Sequence, residues 1–326
     1  MKRFTSNDID LSALDDQTVA IIGYGSQGRS QALNLRDSGV SVVIGVRNPA
    51  SESAQAAQDA DFEVLSLAEA AQTADIIMLL TPDETHAELF AELAQSADLK
   101  NKAVGFAHGY AITYGLIDPD PDMDILLISP KGIGPAVRER YLAGSGVAAL
   151  IAVARDASGQ AQDLALAYAS AIGSARVAIF ETTFAEETAA DLFSEQAVIV
   201  GGLTELLRAG FETMTSNGIA PEVAYYECIV EAKLILDMIV ENGFTGMFAK
   251  ISNTAEYGAQ TAGRRIISEA VRADMDALMQ GIKAGTFAQA WNAEVDQGYT
   301  NLLQGRADWA ASEIDTISSQ MRNLTD

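Results

Sequence analysis

The sequence has few of the residues that build cross-links or membrane spans. Cys228 is the single cysteine among 326 residues, which excludes an internal disulfide and favours a reducing compartment. No apolar run approaches the ~20 residues of a membrane span, and the polar first residues lack the apolar core of a signal peptide. Positive charge is scarce too, because 21 Lys and Arg face 45 Asp and Glu, a net charge of −24. Such a charge repels phosphate backbones and anionic lipids. We predict a cytoplasmic protein that binds neither nucleic acid nor membranes.

The residues that are abundant predict a folded protein with a large core. Hydrophobic residues make up 48% of the chain and charged residues 20%, and the length is typical of two domains. Up to residue 183, short apolar runs alternate with amphipathic stretches, a pattern that predicts a parallel sheet covered by helices. The predicted strands are 19–22, 40–46, 76–80, 103–107, 125–128, 147–153 and 177–180.

After residue 183 the strand-like runs stop and long helical patterns take over. We therefore predict an α/β domain over residues 1–183 and an all-helical domain over residues 184–326. The main predicted helices are 186–209, 221–241, 261–283 and 302–322.

A glycine-rich segment follows the first predicted strand directly and opens the first helix. It reads Gly23-Tyr24-Gly25-Ser26-Gln27-Gly28. Glycines at this spacing allow a tight turn and close approach of the backbone to a pyrophosphate, which then lies on the helix N-terminus. The segment predicts a Rossmann-type dinucleotide-binding domain; a tight turn without a ligand is the alternative.

The end of the second strand predicts which dinucleotide is bound. An acidic residue normally hydrogen-bonds to the adenine ribose hydroxyls of NAD there, but this chain has Arg47, followed by Ser51 and Ser53. A cation beside hydroxyls suits a 2′-phosphate and therefore NADP. Glu52 would oppose that phosphate if it pointed inward, and Arg47 could instead be a solvated surface charge.

Three loops follow the next strands and contain both histidines of the chain. Because ligands of open α/β sheets bind outside the carboxyl ends of the strands, we expect these loops to line one crevice. The residues singled out are Asp83, Glu84, Thr85 and His86 in the first loop, His108 in the second, and Lys131 and Gly134 in the third.

The helical domain contains two pairs of carboxylates at helical spacing. Asp191 and Glu195 are four residues apart, as are Glu227 and Glu231, and strongly apolar residues flank both pairs. Like charges in such a setting favour a bound cation, and oxygen ligands suit Mg²⁺. A solvated acidic helix face is the alternative.

Together these segments resemble the ketol-acid reductoisomerase family in its short, class I form, in order from about residue 8 to residue 322. The segments that carry the resemblance are 23–28, Phe106-Ala107-His108-Gly109, Pro130-Lys131-Gly132, Glu181-Thr182-Thr183-Phe184, 191–196, Tyr226-Glu227-Cys228 and 251–258. The resemblance implies Mg²⁺-dependent alkyl migration in a 2-hydroxy-2-acyl acid such as 2-acetolactate, then NADPH reduction to a 2,3-dihydroxy acid. This chemistry belongs to branched-chain amino-acid biosynthesis.

The resemblance also implies roles for individual residues. Asp191 would bridge two Mg²⁺ ions, Glu195 would complete one of them, and Glu227 with Glu231 would complete the other from a partner subunit. The chain would then be an interlocked homodimer or a higher homo-oligomer. Ser252 would hold the substrate carboxylate. His108 and Lys131 would line the reacting centre, where Glu195 or Glu231 could exchange a proton. The cofactor would contact Tyr24, Ser26, Gln27, Arg47, Ser51, Ser53, the 83–86 loop and Gly134.

The sequence departs from the family pattern at a few positions. Ile133-Gly134-Pro135 replaces the usual Pro-Gly-His, Arg29 replaces a histidine, and Val230 replaces the histidine before the last metal carboxylate. A paralogue acting on a related hydroxy keto acid is therefore one alternative. An NADP-dependent dehydrogenase of the 6-phosphogluconate or β-hydroxyacid type is another, in which Lys233 would serve as the lysine that this class relies on in its helical domain. A cofactor-binding protein without catalysis is a third.

Overall fold

The computed structural model describes residues 1–323 and divides the chain into two compact units. The first unit is Met1–Thr188, and the second begins at Ala189, shortly after the predicted boundary at residue 183. Among residues 1–323, no helix is long and apolar enough to cross a membrane.

Within residues 1–188, nine strands form one sheet in the order β1-β9-β8-β7-β6-β5-β2-β3-β4. The strands are β1 Arg3–Phe4, β2 Thr18–Ile22, β3 Ser41–Val46, β4 Glu63–Ser66, β5 Ile76–Leu79, β6 Ala103–Phe106, β7 Asp124–Pro130, β8 Ala149–Arg155 and β9 Ile179–Glu181. The part of the sheet that runs β7-β6-β5-β2-β3-β4 is parallel throughout, as predicted. The prediction of a parallel sheet is wrong beyond β7, because β8 runs antiparallel to β7 and β1 runs antiparallel to β9.

Both faces of this sheet are buried, which explains why its strands are continuous apolar runs. Along β2, Val19 and Ile21 join the core on one face, whereas Ala20 and Ile22 join the core on the other. The covering helices are α1 Ser26–Asp37, α2 Glu52–Gln58, α3 Leu67–Thr73, α4 His86–Ser96, α5 Tyr110–Thr113, α6 Gly134–Leu142 and α7 Ala161–Ala171. Helix α8 is Phe184–Ser194, and the division between the units falls inside it.

The second unit is helical throughout its described part. Its helices are α9 Gly201–Ser216, α10 Pro221–Tyr225, α11 Glu231–Phe248, α12 Asn253–Ile266, α13 Glu269–Lys283, α14 Thr286–Asp296, α15 Thr300–Ala310 and α16 Glu313–Arg322. Two π-helical segments, Glu195–Ile199 and Tyr226–Val230, interrupt what the sequence predicts as single helices over 186–209 and 221–241. The predicted helices 261–283 and 302–322 are each broken as well, and α14 was not predicted.

The second unit leaves a large amount of apolar surface exposed. Its buried core is small and centres on Phe211, Tyr225, Ile314 and Ile317. The exposed apolar side chains of its first helices are Val198, Ile199, Val200, Leu206, Val223, Tyr226, Val230, Leu234, Leu236, Val240 and Phe244. Large apolar surfaces left exposed on a folded protein are typical of sites that contact another molecule.

Candidate active site

The glycine-rich turn lies between β2 and α1, where the sequence placed it. Gly23 has φ +96°, and a Cβ there would lie 2.7 Å from Thr81 Cγ2. At Gly28 a Cβ would lie 1.9 Å from the carbonyl oxygen of Gly23, so only glycine lets α1 pack this closely on the turn. Gly25 caps α1, and a Cβ there would meet no atom of residues 1–323 within 4 Å. The turn therefore presents open backbone at a helix N-terminus, which suits a pyrophosphate.

This turn lies at the point where the strand order reverses. β2 pairs with β3 on one side and with β5 on the other, which is the position where open α/β sheets bind ligands. A cavity of about 280 Å³ opens there. Its lining includes six of the residues predicted to contact the cofactor: Gly23, Tyr24, Arg47, Ser51, Ser53 and Thr85.

Tyr24 is buried in this cavity, and its hydroxyl makes no hydrogen bond to any of residues 1–323. Its ring packs edge-on against Phe62 with centroids 5.8 Å apart. Burial raises the pKa of the hydroxyl, which therefore stays protonated and able to donate. A buried hydroxyl without a partner is costly, so this group fits a polar ligand in the cavity.

Gln27 and Gly134 join α1 to the loop after β7. Gln27 Nε2 donates to the carbonyl oxygen of Gly132 at 2.8 Å. At Gly134, a Cβ would lie 2.1 Å from the carbonyl oxygen of Ser26, so the first turns of α1 and α6 are in close contact. The structure thus brings these three predicted cofactor residues together at one edge of the sheet.

Arg47 is held by two carboxylates on α4. Its Nε lies 2.9 Å from Glu92 Oε2 and its Nη2 lies 3.3 Å from Glu88 Oε1. Ser51 Oγ caps α2 by accepting from Ala54 N at 3.2 Å, and it also lies 3.2 Å from Ser53 Oγ. The predicted 2′-phosphate site therefore contains one cation that already has anionic partners.

The loop after β5 places Asp83 against His108. Asp83 Oδ2 lies 2.6 Å from His108 Nδ1, whereas His86 Nδ1 is 3.7 Å from Asp83 Oδ1. His86 is buried, its Nε2 lies 3.0 Å from the carbonyl oxygen of Thr81, and burial lowers the pKa of its ring. Glu84 lies between Asp83 and Thr85 in the same 3₁₀ turn. Asp83 and His86 thus contact a histidine and the loop backbone, although the sequence predicts them as cofactor contacts.

A fully buried carboxylate, Glu187, connects the other two loops. Its Oε2 accepts from the backbone N–H of Gly109 at 2.9 Å. Its Oε1 accepts from Ser129 Oγ at 2.8 Å and from Lys131 Nζ at 2.9 Å. Glu187 therefore links Lys131 to the backbone of the loop that contains His108, as expected if both loops line one crevice.

The predicted metal ligands lie at the two π-helical segments. Glu195 begins the first segment, one helical turn after Asp191, whereas Glu227 lies within the second and Glu231 follows it. Such segments are frequent at functional sites. Asp191 is partly buried, and the other three carboxylates are exposed. Among residues 1–323, no three His, Cys, Asp or Glu side chains lie close enough together to hold a metal ion.

The two remaining predicted residues are exposed. Ser252 caps α12, where its Oγ accepts from Ala255 N at 3.1 Å and its hydroxyl proton remains able to donate. Lys233, the lysine of the alternative dehydrogenase hypothesis, forms a surface pair with Asp237 at 2.5 Å.

Comparisons with known proteins cover nearly the whole chain. Residues 13–178 match the acetohydroxy acid isomeroreductase NADPH-binding domain, and residues 184–326 match the ketol-acid reductoisomerase C-terminal domain. The chain belongs to the ketol-acid reductoisomerase family. An NADH-preferring ketol-acid reductoisomerase from an uncultured archean is 38% identical, with a TM-score of 0.97 over 99% of each chain.

More distant structures share the fold alone. A semialdehyde dehydrogenase NAD-binding protein from Cupriavidus necator is 19% identical, with a TM-score of 0.62 over 82% of this chain and 99% of that one. A putative oxidoreductase from Jannaschia sp. CCS1 is 16% identical, with a TM-score of 0.61 over 82% of this chain and 98% of that one.

Membership of the ketol-acid reductoisomerase family confirms the resemblance drawn from the motifs. The chain is an oxidoreductase and isomerase of branched-chain amino-acid biosynthesis that uses a nicotinamide cofactor and a small-molecule substrate. The α/β domain is Rossmann-like and the second domain is helical, as predicted. The dehydrogenase and binding-protein alternatives are therefore set aside.

Sequence reasoning missed Glu187, Glu88 and Glu92. Glu187 follows the quoted segment 181–184 by three residues and is adjacent to the exposed Glu186, so the sequence gives no signal to tell the two apart. Glu88 and Glu92 do have a signal, since their spacing of four places both carboxylates on one face of α4.

Proposed function

We propose that this chain converts 2-acetolactate or 2-aceto-2-hydroxybutyrate to the 2,3-dihydroxy acid, by Mg²⁺-dependent alkyl migration followed by reduction with NADPH. The observation that carries the proposal is that the glycine turn shares one sheet edge with the Asp83–His108 pair and the Lys131–Glu187 pair. A nicotinamide cofactor held by that turn would lie at the same edge as an imidazole and an ammonium group.

The residues of the turn fit a dinucleotide. Gly25 leaves open space at the N-terminus of α1, and the buried Tyr24 hydroxyl has no hydrogen-bond partner in the part of the chain that the structure describes. Arg47, Ser51 and Ser53 would hold the 2′-phosphate of NADPH. The bound cofactor would supply the hydride, while the protein fixes its orientation.

The donor set of the second unit fits Mg²⁺. Asp191 and Glu195 provide one carboxylate pair, and Glu227 and Glu231 provide another, all with the oxygen ligands that hard cations prefer. Bound Mg²⁺ would act as a Lewis acid toward the substrate oxygens. One pair alone is too few ligands, so we infer that Glu227 and Glu231 complete the site in a second copy of the chain.

The chain's own residues then have distinct tasks. The Lys131 ammonium, held by Glu187, would stabilise negative charge that develops on a substrate oxygen. Asp83 would fix the proton of His108 on Nδ1 and hold the ring in one orientation. The Ser252 hydroxyl would donate to the substrate carboxylate, and Glu195 or Glu231 would exchange the substrate hydroxyl proton.

The test is NADPH consumption with 2-acetolactate and, separately, with 2-aceto-2-hydroxybutyrate, each with Mg²⁺ and with a chelator. We expect turnover that requires Mg²⁺. Turnover that persists in the chelator would contradict the proposed metal site. Absence of turnover with both substrates, while NADPH still binds, would favour a paralogue acting on a related hydroxy keto acid. The departures from the family pattern at Ile133, Pro135 and Val230 are the reason for considering such a paralogue.

A homodimer or higher homo-oligomer is part of the proposal. The exposed apolar side chains of the second unit, such as Leu234 and Phe244, support it because a lone chain would leave them in water.

Mixing and co-refolding inactive Asp191→Ala with inactive Glu231→Ala should restore activity, since a mixed dimer has one intact site. About half of the dimers are mixed and each has one of two sites, so roughly a quarter of wild-type activity is expected. No recovery in demonstrated heterodimers would place all four carboxylates in one chain.

A further inference from the structure

Arg47, the one cation among the predicted 2′-phosphate residues, faces two carboxylates of its own chain. Glu88 and Glu92 are one turn apart on α4, so both reach the guanidinium from the same helix face. Their contacts of 3.3 and 2.9 Å engage Nη2 and Nε, which are nitrogens that a phosphate would also use. A bound 2′-phosphate must therefore share or displace these partners.

The charges at this position oppose a dianionic group. One guanidinium and two carboxylates sum to a net charge of about −1, and a phosphate monoester brings a further ~1.5 to 2 negative charges at neutral pH. Ser51 Oγ already accepts from Ala54 N as the cap of α2, so its hydroxyl offers a phosphate a single donated hydrogen bond and no charge to offset the carboxylates. NADH differs from NADPH only in lacking the 2′-phosphate, so it has no 2′-phosphate for these carboxylates to repel.

We propose that Glu88 and Glu92 are specificity-determining residues: they hold Arg47 and oppose the 2′-phosphate, so the cavity discriminates only weakly between NADPH and NADH. The proposal rests on the proposed function, namely that a nicotinamide dinucleotide binds at the glycine turn. It concerns the balance between two cofactors, and it is independent of the substrate and of the metal.

The pairs are suited to substitution because they contribute little to folding. The side chains of Arg47, Glu88 and Glu92 are 41%, 77% and 47% exposed, and exposed ion pairs stabilise proteins only weakly. Glutamine has the shape and nearly the helix propensity of glutamate. We therefore expect Glu88→Gln, Glu92→Gln and the double variant to fold with unchanged melting temperatures.

The experiment measures dissociation constants for NADPH and NADH by titration calorimetry, without substrate or Mg²⁺. The double variant should bind NADPH about three- to tenfold more tightly than wild type at low ionic strength, with NADH changed less than about twofold. At 0.5 M salt the NADPH gain should shrink, because these charges are exposed. The matched control is Glu63→Gln, an exposed glutamate at the opposite, amino end of β4, which should change neither constant.

The outcomes separate this inference from the proposed function. If wild type binds neither dinucleotide, the proposed function fails. If both bind but the double variant keeps the wild-type ratio of the two constants, the role of Glu88 and Glu92 is refuted. An equal change for both cofactors also refutes it, because that result would show a contribution to the cavity as a whole rather than opposition to the phosphate.

Discussion

Replacing Glu187 with glutamine tests the arrangement that links the loops after β6 and β7. The side chain is fully buried and accepts three hydrogen bonds of 2.8 to 2.9 Å, two of them on one oxygen. Glutamine keeps the volume but replaces one acceptor oxygen with an NH₂ donor. That donor must face either the Gly109 N–H or the Lys131 ammonium, so at least one hydrogen bond is lost in either orientation.

The expected loss of stability follows from these contacts. A hydrogen bond to a charged group contributes about 1.5 to 3 kcal/mol, and a buried donor left unpaired costs about 1 to 3 kcal/mol. Allowing for relaxation around the amide, Glu187→Gln should lower the free energy of unfolding by about 2 to 4 kcal/mol. For a unit of this size, each kcal/mol lowers the melting temperature by about 2 to 4 °C, so a decrease of about 5 to 15 °C is expected.

The assay is thermal unfolding followed by circular dichroism, and the chain provides a matched control. Glu186 precedes Glu187 on α8 but is exposed, and its carboxylate accepts only a surface bond of 2.6 Å from Thr182 among the hydrogen bonds described. Glu186→Gln should change the melting temperature by less than about 2 °C. If Glu187→Gln melts within about 2 °C of this control, the buried network does not stabilise the fold as argued.

Four further predictions follow from the site. Asp191→Asn should abolish isomerisation while calorimetry still shows NADPH binding; retained turnover would refute its metal role. Asp83→Asn should lower kcat about tenfold or more, because His108 loses the carboxylate that orients its ring, with little change in the KM for NADPH. Gly28→Ala should destabilise the protein by about 1 to 3 kcal/mol in a denaturant titration, since its Cβ meets the Gly23 carbonyl. Burial lowers the pKa of His86, so below about pH 6.5 the unfolded chain binds more protons than the folded chain does. The free energy of unfolding should therefore decrease as the pH is lowered through this range. His86→Gln should reduce that loss between pH 7 and pH 5.

The parts of the fold that local sequence determines were predicted well. The strand β2, the turn at Gly23 and the helix α1 are contiguous, and each has its own local signal. The edge strand β4 was missed, because Glu63–Ser66 has only two apolar residues and reads as a polar stretch. The direction of β8 was predicted wrongly, since an apolar run carries no information about which way a strand crosses the sheet.

The contacts of the site could not be read from the sequence, for a similar reason. Lys131 and Glu187 are 56 positions apart, and Asp83 and His108 are 25 apart, so only the strand order brings them together. The sequence showed that these loops end at one edge. It did not show which side chains meet there.

The π-helical segments mark the limit of the spacing argument in the second unit. A spacing of four predicts that two carboxylates share a helix face. This prediction is the same for a regular and for a locally widened helix, so it places Asp191 and Glu195 on one face in either case. The widening itself has no signature in the apolar pattern, yet it occurs at both carboxylate pairs, at Glu195–Ile199 and Tyr226–Val230. Segments of this kind are rare within α-helices and are frequent at functional sites. Their coincidence with both pairs therefore supports the metal assignment by a route that is independent of residue spacing.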